Sequence, residues 1–88
     1  MEYSKSGYEL KYKKSVTKFV KKQERSIMEK IERAILDLPF DGDIKKLQGI
    51  KIPPTFRLRI GDIRIIFSVN HISKIITILK IDNRGDIY

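Results

Sequence analysis

The chain has 88 residues, of which 41% are hydrophobic and 34% are charged, and its formal net charge is +8. This composition excludes a disordered chain, so we predict a single folded domain over residues 1–88. The absence of cysteine excludes a disulfide scaffold and a thiolate metal site. No stretch approaches the roughly 20 apolar residues that cross a bilayer. Because residues 1–14 are polar and lack a signal-peptide core, we expect a cytoplasmic protein with no membrane partner.

Positive charge is concentrated in residues 45–80, which contain a single acid, Asp62. The cations of this stretch are Lys45, Lys46, Lys51, Arg57, Arg59, Arg64, Lys74 and Lys80. Such an excess favours an acidic partner, namely nucleic acid, an anionic membrane or an acidic protein. Basic residues also serve to keep a surface soluble, and the charge alone does not separate the two interpretations.

The beginning of the chain predicts a strand followed by a helix. Residues 8–12 alternate apolar and polar side chains, which is typical of a strand. The spacing of Val16, Phe19 and Val20 then predicts a short amphipathic helix with Ser15 as its N-cap.

A second helix is predicted from an apolar stripe made of Ile27, Ile31, Ala34, Ile35 and Leu38. Ser26 and Glu29 have the spacing of a capping box at its start, and Pro39 is expected to end it. Glycines and prolines in residues 40–55 predict a loop, with one short extended piece near residues 46–47. The two helices therefore form a hairpin with one apolar side.

Two alternating runs, residues 56–60 and 63–69, predict a β-hairpin. Between them, Gly61 and Asp62 suit a two-residue type II′ turn, in which Gly61 takes a positive φ. The register of this turn places the apolar residues on one face, towards the helices: Phe56, Leu58, Ile60, Ile63, Ile65, Phe67 and Val69. The opposite, open face then carries Arg57, Arg59, Arg64, Ile66 and Ser68.

The last strand is predicted over residues 75–81, after a five-residue turn. Its parity is ambiguous, because isoleucines and a leucine occupy both odd and even positions. We favour the register that pairs Val69 with Ile75 and sets Lys80 beside Arg64. The elements together predict an α+β fold, with an N-terminal strand, a helical hairpin on one face of a mainly antiparallel sheet, and a three-strand meander at the end.

In this register Arg59, Arg64 and Lys80 lie side by side on three strands, with Arg57 one step away. Like charges directly opposite each other destabilise a sheet by up to roughly 1 kcal/mol per pair, so we expect an anion to bind them. Arginine suits this role because its planar fork grips phosphate oxygens two at a time. The alternative is that the arginines extend into solvent or pair with the carboxylates at positions 62 and 82.

The sequence lacks several catalytic motifs, and their absence restricts the catalytic mechanisms that we expect. The carboxylates are scattered over helices and loops, so we expect no metal site. His71 is the only histidine, which excludes a two-histidine ribonuclease, and we expect it to be a surface turn residue. No Walker motif, glycine-rich phosphate loop or nucleophile elbow is present, so we expect no small-molecule cofactor. Any catalysis must use arginine, lysine and tyrosine.

Two pieces of the sequence, the hairpin at residues 56–67 and the ending at residues 83–88, resemble a known family. The ending, Asn-Arg-Gly-Asp-Ile-Tyr, is similar to the His-Arg-x-x-x-Tyr ending of the RelE/ParE superfamily of toxins from toxin-antitoxin pairs, and the order of elements from Tyr8 onwards also matches. The resemblance implies a RelE-like microbial ribonuclease fold. For RelE-type members it implies cleavage of messenger RNA in the ribosomal A site, with the ribose 2′-hydroxyl attacking the adjacent phosphate.

The resemblance also assigns catalytic roles to five residues. Arg57 and Arg59 match basic strand positions that hold the phosphate, and Arg64 matches the arginine that stabilises charge on it. Arg84 matches an arginine that protonates the leaving oxygen or orients RNA, and Tyr88 matches a tyrosine that stacks on a base or assists proton transfer. Three further cations are expected to bind RNA: Lys46, Lys51 and Lys80. The chain departs from the family in carrying arginine for two lysines and asparagine for the histidine, which removes candidates for proton transfer.

Three functions remain open at this point. The first is a ribosome-dependent, metal-independent mRNA endonuclease that inhibits translation. The second is a ParE-like toxin that inhibits DNA gyrase without being a nuclease, and the third is a catalytically degenerate member that only binds RNA or its antitoxin. All three imply an acidic, RelB-like antitoxin in a heterodimer or heterotetramer, and the first adds the ribosome and mRNA as partners.

Overall fold

Two helices pack on one face of a six-stranded sheet in the computed structural model, which describes residues 2–47, 49 and 53–83. The elements are β1 (Glu2–Tyr3), β2 (Glu9–Tyr12), α1 (Lys14–Lys21), α2 (Arg25–Leu36), β3 (Asp43–Lys46), β4 (Thr55–Ile60), β5 (Ile63–Asn70) and β6 (Ile75–Asn83). The strand order is β1-β2-β6-β5-β4-β3, with β2 and β6 parallel and the other described pairs antiparallel. The predicted α+β fold is confirmed, including the meander of β4, β5 and β6. The pairing of β1 with β2 was not predicted.

The helices begin earlier than the capping residues indicated. The backbone N–H of Lys13 still donates to Ile78 on β6 at 3.1 Å, and α1 begins directly after it. Ser15 therefore lies inside α1, and Ser26 lies inside α2, whose N-cap is Glu24. Neither helix has a side-chain cap hydrogen bond, so both capping predictions were wrong. The physical reason is that a side-chain cap contributes only about 1 kcal/mol, less than the backbone pairing and apolar burial that position these helices.

The apolar stripes of both helices form the core as expected. Val16 and Ile31 are fully buried, and Ile35 is nearly so. They pack against buried residues of the sheet, Leu10, Leu58, Ile63, Ile65, Phe67, Val69, Ile76, Ile78 and Ile81. None of the described helices is long and apolar enough to span a bilayer.

The first hairpin, β4–β5, has the predicted register. Ile60 pairs with Ile63 and Arg59 pairs with Arg64. Gly61 has a φ of +57° and Asp62 has no positive φ, which agrees with the type II′ turn. On the helix side, the ring of Phe67 stacks on that of Phe56, with 5.6 Å between the ring centroids.

The register of the second hairpin, β5–β6, differs from the predicted register. Asn70 pairs with Ile75 across a four-residue turn, because the side chain of Asn70 accepts backbone hydrogen bonds at 3.0 Å within that turn. Val69 therefore faces Ile76 instead of Ile75.

A β-bulge then shifts the pairing of β6 by one further residue. Leu79 is the extra residue, since Phe67 pairs with Ile78 and Ile66 pairs with Lys80. The bulge allows three isoleucines that no strict alternation could bury together to lie on one face: Ile76, Ile78 and Ile81. Beyond it, Arg64 faces Asp82, so the predicted pairing of Arg64 with Lys80 was wrong.

Candidate nucleic-acid interface

Cross-strand pairing arranges seven charged residues and one isoleucine of the open face in two rows on β3 to β6. The first row is Asp43, Arg59, Arg64 and Asp82. The second row is Lys45, Arg57, Ile66 and Lys80. We call these eight residues the arginine face. The confirmed β4–β5 register places the arginines there, because Arg57 and Arg59 are two apart on β4 and Arg59 pairs with Arg64 on β5.

Asp82 holds Arg64 in this face. The Nη2 group of Arg64 donates to Oδ2 of Asp82 at 3.1 Å, and each side chain is 26% exposed. The Nζ atom of Lys80 lies 3.8 Å from the same oxygen. A hydrogen bond between ionised groups is stronger than one between neutral groups and is less screened when the pair is partly buried. The orientation of Arg64 is therefore set by a residue that sequence reasoning considered only as an alternative partner.

The other two arginines differ from Arg64 and from each other. Arg57 is 16% exposed, and its Nη2 lies 3.6 Å from Oδ1 of Asp43, which is 62% exposed on the edge strand. That distance is too long for a hydrogen bond, so the contact is electrostatic. Arg59 is exposed and has no ion pair or hydrogen bond within the described part of the chain. Its guanidinium is available to an anion.

Three buried polar atoms of the arginine face have no hydrogen-bond partner among the described residues. They are the Nε atoms of Arg57 and Arg64 and the Oδ1 atom of Asp82. An unpaired buried polar group costs on the order of 1–3 kcal/mol. These three atoms could therefore form hydrogen bonds that they do not form with the described residues.

The predicted site residues divide into three groups. Arg57, Arg59, Arg64 and Lys80 come together on the arginine face. Lys46 pairs with Phe56 and so lies on the opposite side of β3, and Lys45 occupies the open side. Three predicted residues lie outside the described residues: Lys51, Arg84 and Tyr88.

The positions of Asp43, Lys45 and Asp82 on this face were not predicted from the sequence. The register of β3 against β4 decides where Asp43 and Lys45 point, and the sequence offers no strong strand pattern in β3. For Asp82 a signal existed, because isoleucines at 76, 78 and 81 cannot all be buried without a bulge between them. His71, predicted as a turn residue, lies in the β5–β6 turn, and its Nδ1 is 2.7 Å from the hydroxyl of Tyr8.

A second feature lies on the helix side of the sheet, between β1, β2 and the two helices. It is a groove of about 640 Å³, which we call the helix groove, with an apolar lining that includes Val16, Val20, Met28, Ile31 and Ile35. Glu2, Tyr12, Lys21 and Glu32 also line it. The hydroxyl of Tyr12 donates to Oε1 of Glu2 at 2.8 Å. Burial, followed by this hydrogen bond and the charges of Glu2 and Glu32, raises the pKa of Tyr12.

Solved structures that are similar to this chain include three toxin-antitoxin complexes. A RelE–RelB complex from the archaeon Pyrococcus horikoshii OT3 contains a chain that is 33% identical, with a TM-score of 0.73, and the match covers 89% of this chain and 96% of that chain. A RelB–RelE antitoxin–toxin complex from Methanococcus jannaschii matches at 26% identity and a TM-score of 0.68, over 89% and 94% of the two chains. The toxin–antitoxin complex RelBE2 from Mycobacterium tuberculosis matches at 21% identity and a TM-score of 0.61, over 88% and 98%, and shows the shared fold alone.

No protein-family model and no curated protein sequence matches the chain. The similarity at 33% identity extends over nearly the whole of both chains, and it agrees with the element order and with the resemblance of the hairpin at residues 56–67. The chain therefore belongs to the RelE family of toxins from toxin-antitoxin systems.

Proposed function

We propose that this toxin is a metal-independent endoribonuclease that cuts messenger RNA on the ribosome and so inhibits translation. The observation that carries the proposal is the arrangement of Arg59 and Arg64, an available guanidinium directly opposite one that is fixed. Residues paired in this way have Cβ atoms about 5 Å apart, so we propose that both forks contact a single phosphate.

The chemistry needs positive charge at the phosphate. When a ribose 2′-hydroxyl attacks the adjacent phosphorus, the hydroxyl gives up its proton to water, the O2′–P bond forms and the bond from phosphorus to the leaving 5′-oxygen breaks. Negative charge accumulates on the phosphate oxygens in the transition state. Donors that already point at this charge stabilise it most, because they need no reorganisation during the reaction. Arg59 is suited to capture the phosphate from solvent, and Arg64, oriented by Asp82, is suited to stabilise the transition state.

Proton transfer is assigned to residues other than these arginines. An arginine does not act as a base, because its pKa exceeds about 12. We propose that Arg84 protonates the leaving oxygen or orients the RNA, and that Tyr88 stacks on a base or assists proton transfer, as the resemblance implies. Arg57 and Lys80 complete the positive surface along which the RNA backbone lies, and Lys51 is proposed to extend it.

The proposed partners follow from the same comparison. The similar solved structures are complexes of RelE with RelB, so we propose a RelB-like antitoxin for this toxin, in a heterodimer or heterotetramer. A net charge of +8 favours an acidic antitoxin. Action on translating ribosomes places the toxin in the cytoplasm.

The test is cleavage of mRNA by purified toxin on programmed ribosomes. We expect Arg64→Ala to lower the single-turnover rate by about 10²–10³, the usual effect of removing one charge-stabilising donor. Arg33→Ala removes an exposed arginine from α2 and should leave the rate unchanged. DNA supercoiling by gyrase is measured in parallel. Inhibition of gyrase without mRNA cleavage would replace the proposal with the ParE-like function, and an unchanged rate for Arg64→Ala would refute the assigned site.

A further inference from the structure

Asp82 is a carboxylate that two cations of the arginine face share. Its Oδ2 accepts a hydrogen bond from Arg64 at 3.1 Å and lies 3.8 Å from the Nζ atom of Lys80. The bulge at Leu79 puts it there, because without the extra residue Ile81 would face Arg64 and Asp82 would pair with Ile63 on the core side. The fold thus inserts a negative charge into the row of cations that would otherwise bind an anion most strongly.

The contact with Asp82 determines how the guanidinium of Arg64 is presented. A guanidinium is planar and rigid, so fixing one of its nitrogens restricts the directions of its other N–H groups. Both side chains are 26% exposed, and the Nε atom of Arg64 is buried, so the guanidinium has limited freedom to move. Arg59 is directly opposite and has no such contact in the described chain.

The same carboxylate must weaken anion binding. A unit negative charge beside Arg64 and Lys80 lowers the positive potential that attracts a phosphate. A neutral residue at this position would leave the positive potential higher. The presence of an acid here therefore favours orientation of Arg64 over attraction of an anion.

We propose that Asp82 is a positioning residue, which orients Arg64 towards a phosphate bound on the arginine face and lowers the affinity of that face for RNA. That the phosphate belongs to RNA rests on the proposed function. Orientation and attraction are separable in experiment, because one concerns the geometry of Arg64 and the other concerns net charge.

Asp82→Asn is the central variant, since it preserves shape and removes the charge. Its matched control is Asp62→Asn, which removes the same charge from the β4–β5 turn, where the carboxylate makes no ion pair with a described residue. Asp82→Glu keeps the charge and should restore part of the wild-type behaviour. Arg64→Lys tests the contact from the other side, because lysine keeps the charge and lacks the planar fork.

Three measurements on the full chain separate the effects. Binding of a single-stranded 2′-O-methyl RNA oligonucleotide, which has no nucleophilic hydroxyl, should tighten about threefold in Asp82→Asn. In NMR spectra, the Nε–H signal of Arg64 should exchange slowly with water in the wild type and broaden in Asp82→Asn. The single-turnover rate of mRNA cleavage at saturating toxin should fall about tenfold in Asp82→Asn, because misorientation of a charge-stabilising group slows the reaction. Arg64→Lys should retain binding and lose rate, and Asp62→Asn should match the wild type in its NMR signal and rate.

Tighter binding with a slower rate is the result that supports the proposal, since loss of folding would weaken both. An Arg64 signal that is unchanged in Asp82→Asn, or RNA binding that weakens in it, would overturn the proposal. If the wild type binds RNA and cuts none on ribosomes, the proposed nuclease function fails. In that case the NMR signal and the binding measurement still decide whether Asp82 orients Arg64.

Discussion

The arginine face and the helix groove lie on opposite sides of one sheet and offer opposite chemistry to a partner. On the arginine face, cations predominate and every described acid is next to an arginine. In the helix groove, apolar side chains form the lining, and Glu2 and Glu32 lie near the hydroxyl of Tyr12. A chain with a net charge of +8 therefore does not distribute that charge evenly.

This difference determines which kind of partner each region can bind. Phosphate groups suit the arginine face, and an apolar protein segment suits the groove. A ligand of the groove would leave Arg59 available to RNA, whereas an acidic segment laid over Arg59 and Arg64 would compete with RNA. The two regions share only the core between them, so changes in the core should affect both, and changes in one region should leave the other intact.

The largest effect is expected from Phe67→Ala, which should damage both regions. Phe67 is fully buried on β5, under the arginine face, and stacks on Phe56. Removing a buried ring typically costs about 3–5 kcal/mol of unfolding free energy. Urea unfolding followed by circular dichroism measures the loss. Ile72→Ala is the control, because Ile72 is 99% exposed at the β5–β6 turn and should change stability by less than about 0.5 kcal/mol. Equal urea midpoints for the two variants would contradict the burial of Phe67.

Arg59→Ala should affect the arginine face alone. Because Arg59 is exposed, we expect its loss to weaken binding of a single-stranded RNA oligonucleotide about tenfold, the equivalent of roughly 1.4 kcal/mol. Stability should be unchanged or slightly higher, since the variant removes a like-charge pair with Arg64. Fluorescence anisotropy measures the affinity, with Arg33→Ala as the matched arginine control. Loss of folding stability in Arg59→Ala would show that its guanidinium supports the fold.

Part of the arginine face could be predicted from the sequence alone. The register of β4–β5 was predicted because a two-residue turn at Gly61 leaves no freedom in the pairing that follows. The common face of Arg57, Arg59 and Arg64 depends only on that register, so it too was predicted.

The rest of the site depends on interactions that the local sequence does not specify. In β6, isoleucines at both parities make two registers equally apolar, and the Asn70 turn and the bulge at Leu79 decide between them. The turn and the bulge each shift the pairing by one residue, so together they keep the parity of β6 and bring Asp82, in place of Lys80, opposite Arg64. The parallel pairing of β2 with β6 joins distant parts of the chain, and β1 has only two residues and therefore no pattern.

Tyr12→Phe should affect the helix groove alone and should change the pH dependence of stability. Burial and the hydrogen bond to Glu2 raise the pKa of Tyr12, so the folded state favours the neutral phenol. This contribution is complete below the unfolded pKa of about 10 and is lost as pH rises from there towards the folded pKa. The unfolding free energy of the wild type should therefore fall more steeply above pH 10 than that of Tyr12→Phe.

Chemical unfolding at pH 8 and at successive values above pH 10 measures this difference. Tyr3→Phe is the control, because Tyr3 also lines the groove and has a more exposed side chain. Parallel pH profiles for the wild type and Tyr12→Phe would contradict the assigned cause. RNA binding should be unchanged in Tyr12→Phe, since the groove lies on the other side of the sheet.

The smallest effect is expected from Asp43→Asn, on the outer edge of the arginine face. Asp43 is 62% exposed and lies 3.6 Å from Arg57, so water and salt screen the pair, and it should contribute less than about 1 kcal/mol to stability. Its charge still opposes a bound phosphate, so Asp43→Asn should tighten RNA binding about twofold at low salt. The gain should disappear at high salt, because screening removes the contribution of exposed charges first.

Anisotropy titrations at two salt concentrations measure this gain in affinity. The control is Asp41→Asn, which removes an exposed charge next to β3 and outside the arginine face. An equal gain in both variants would mean that RNA responds only to the net charge of the chain, and that the rows of the arginine face do not determine where it binds.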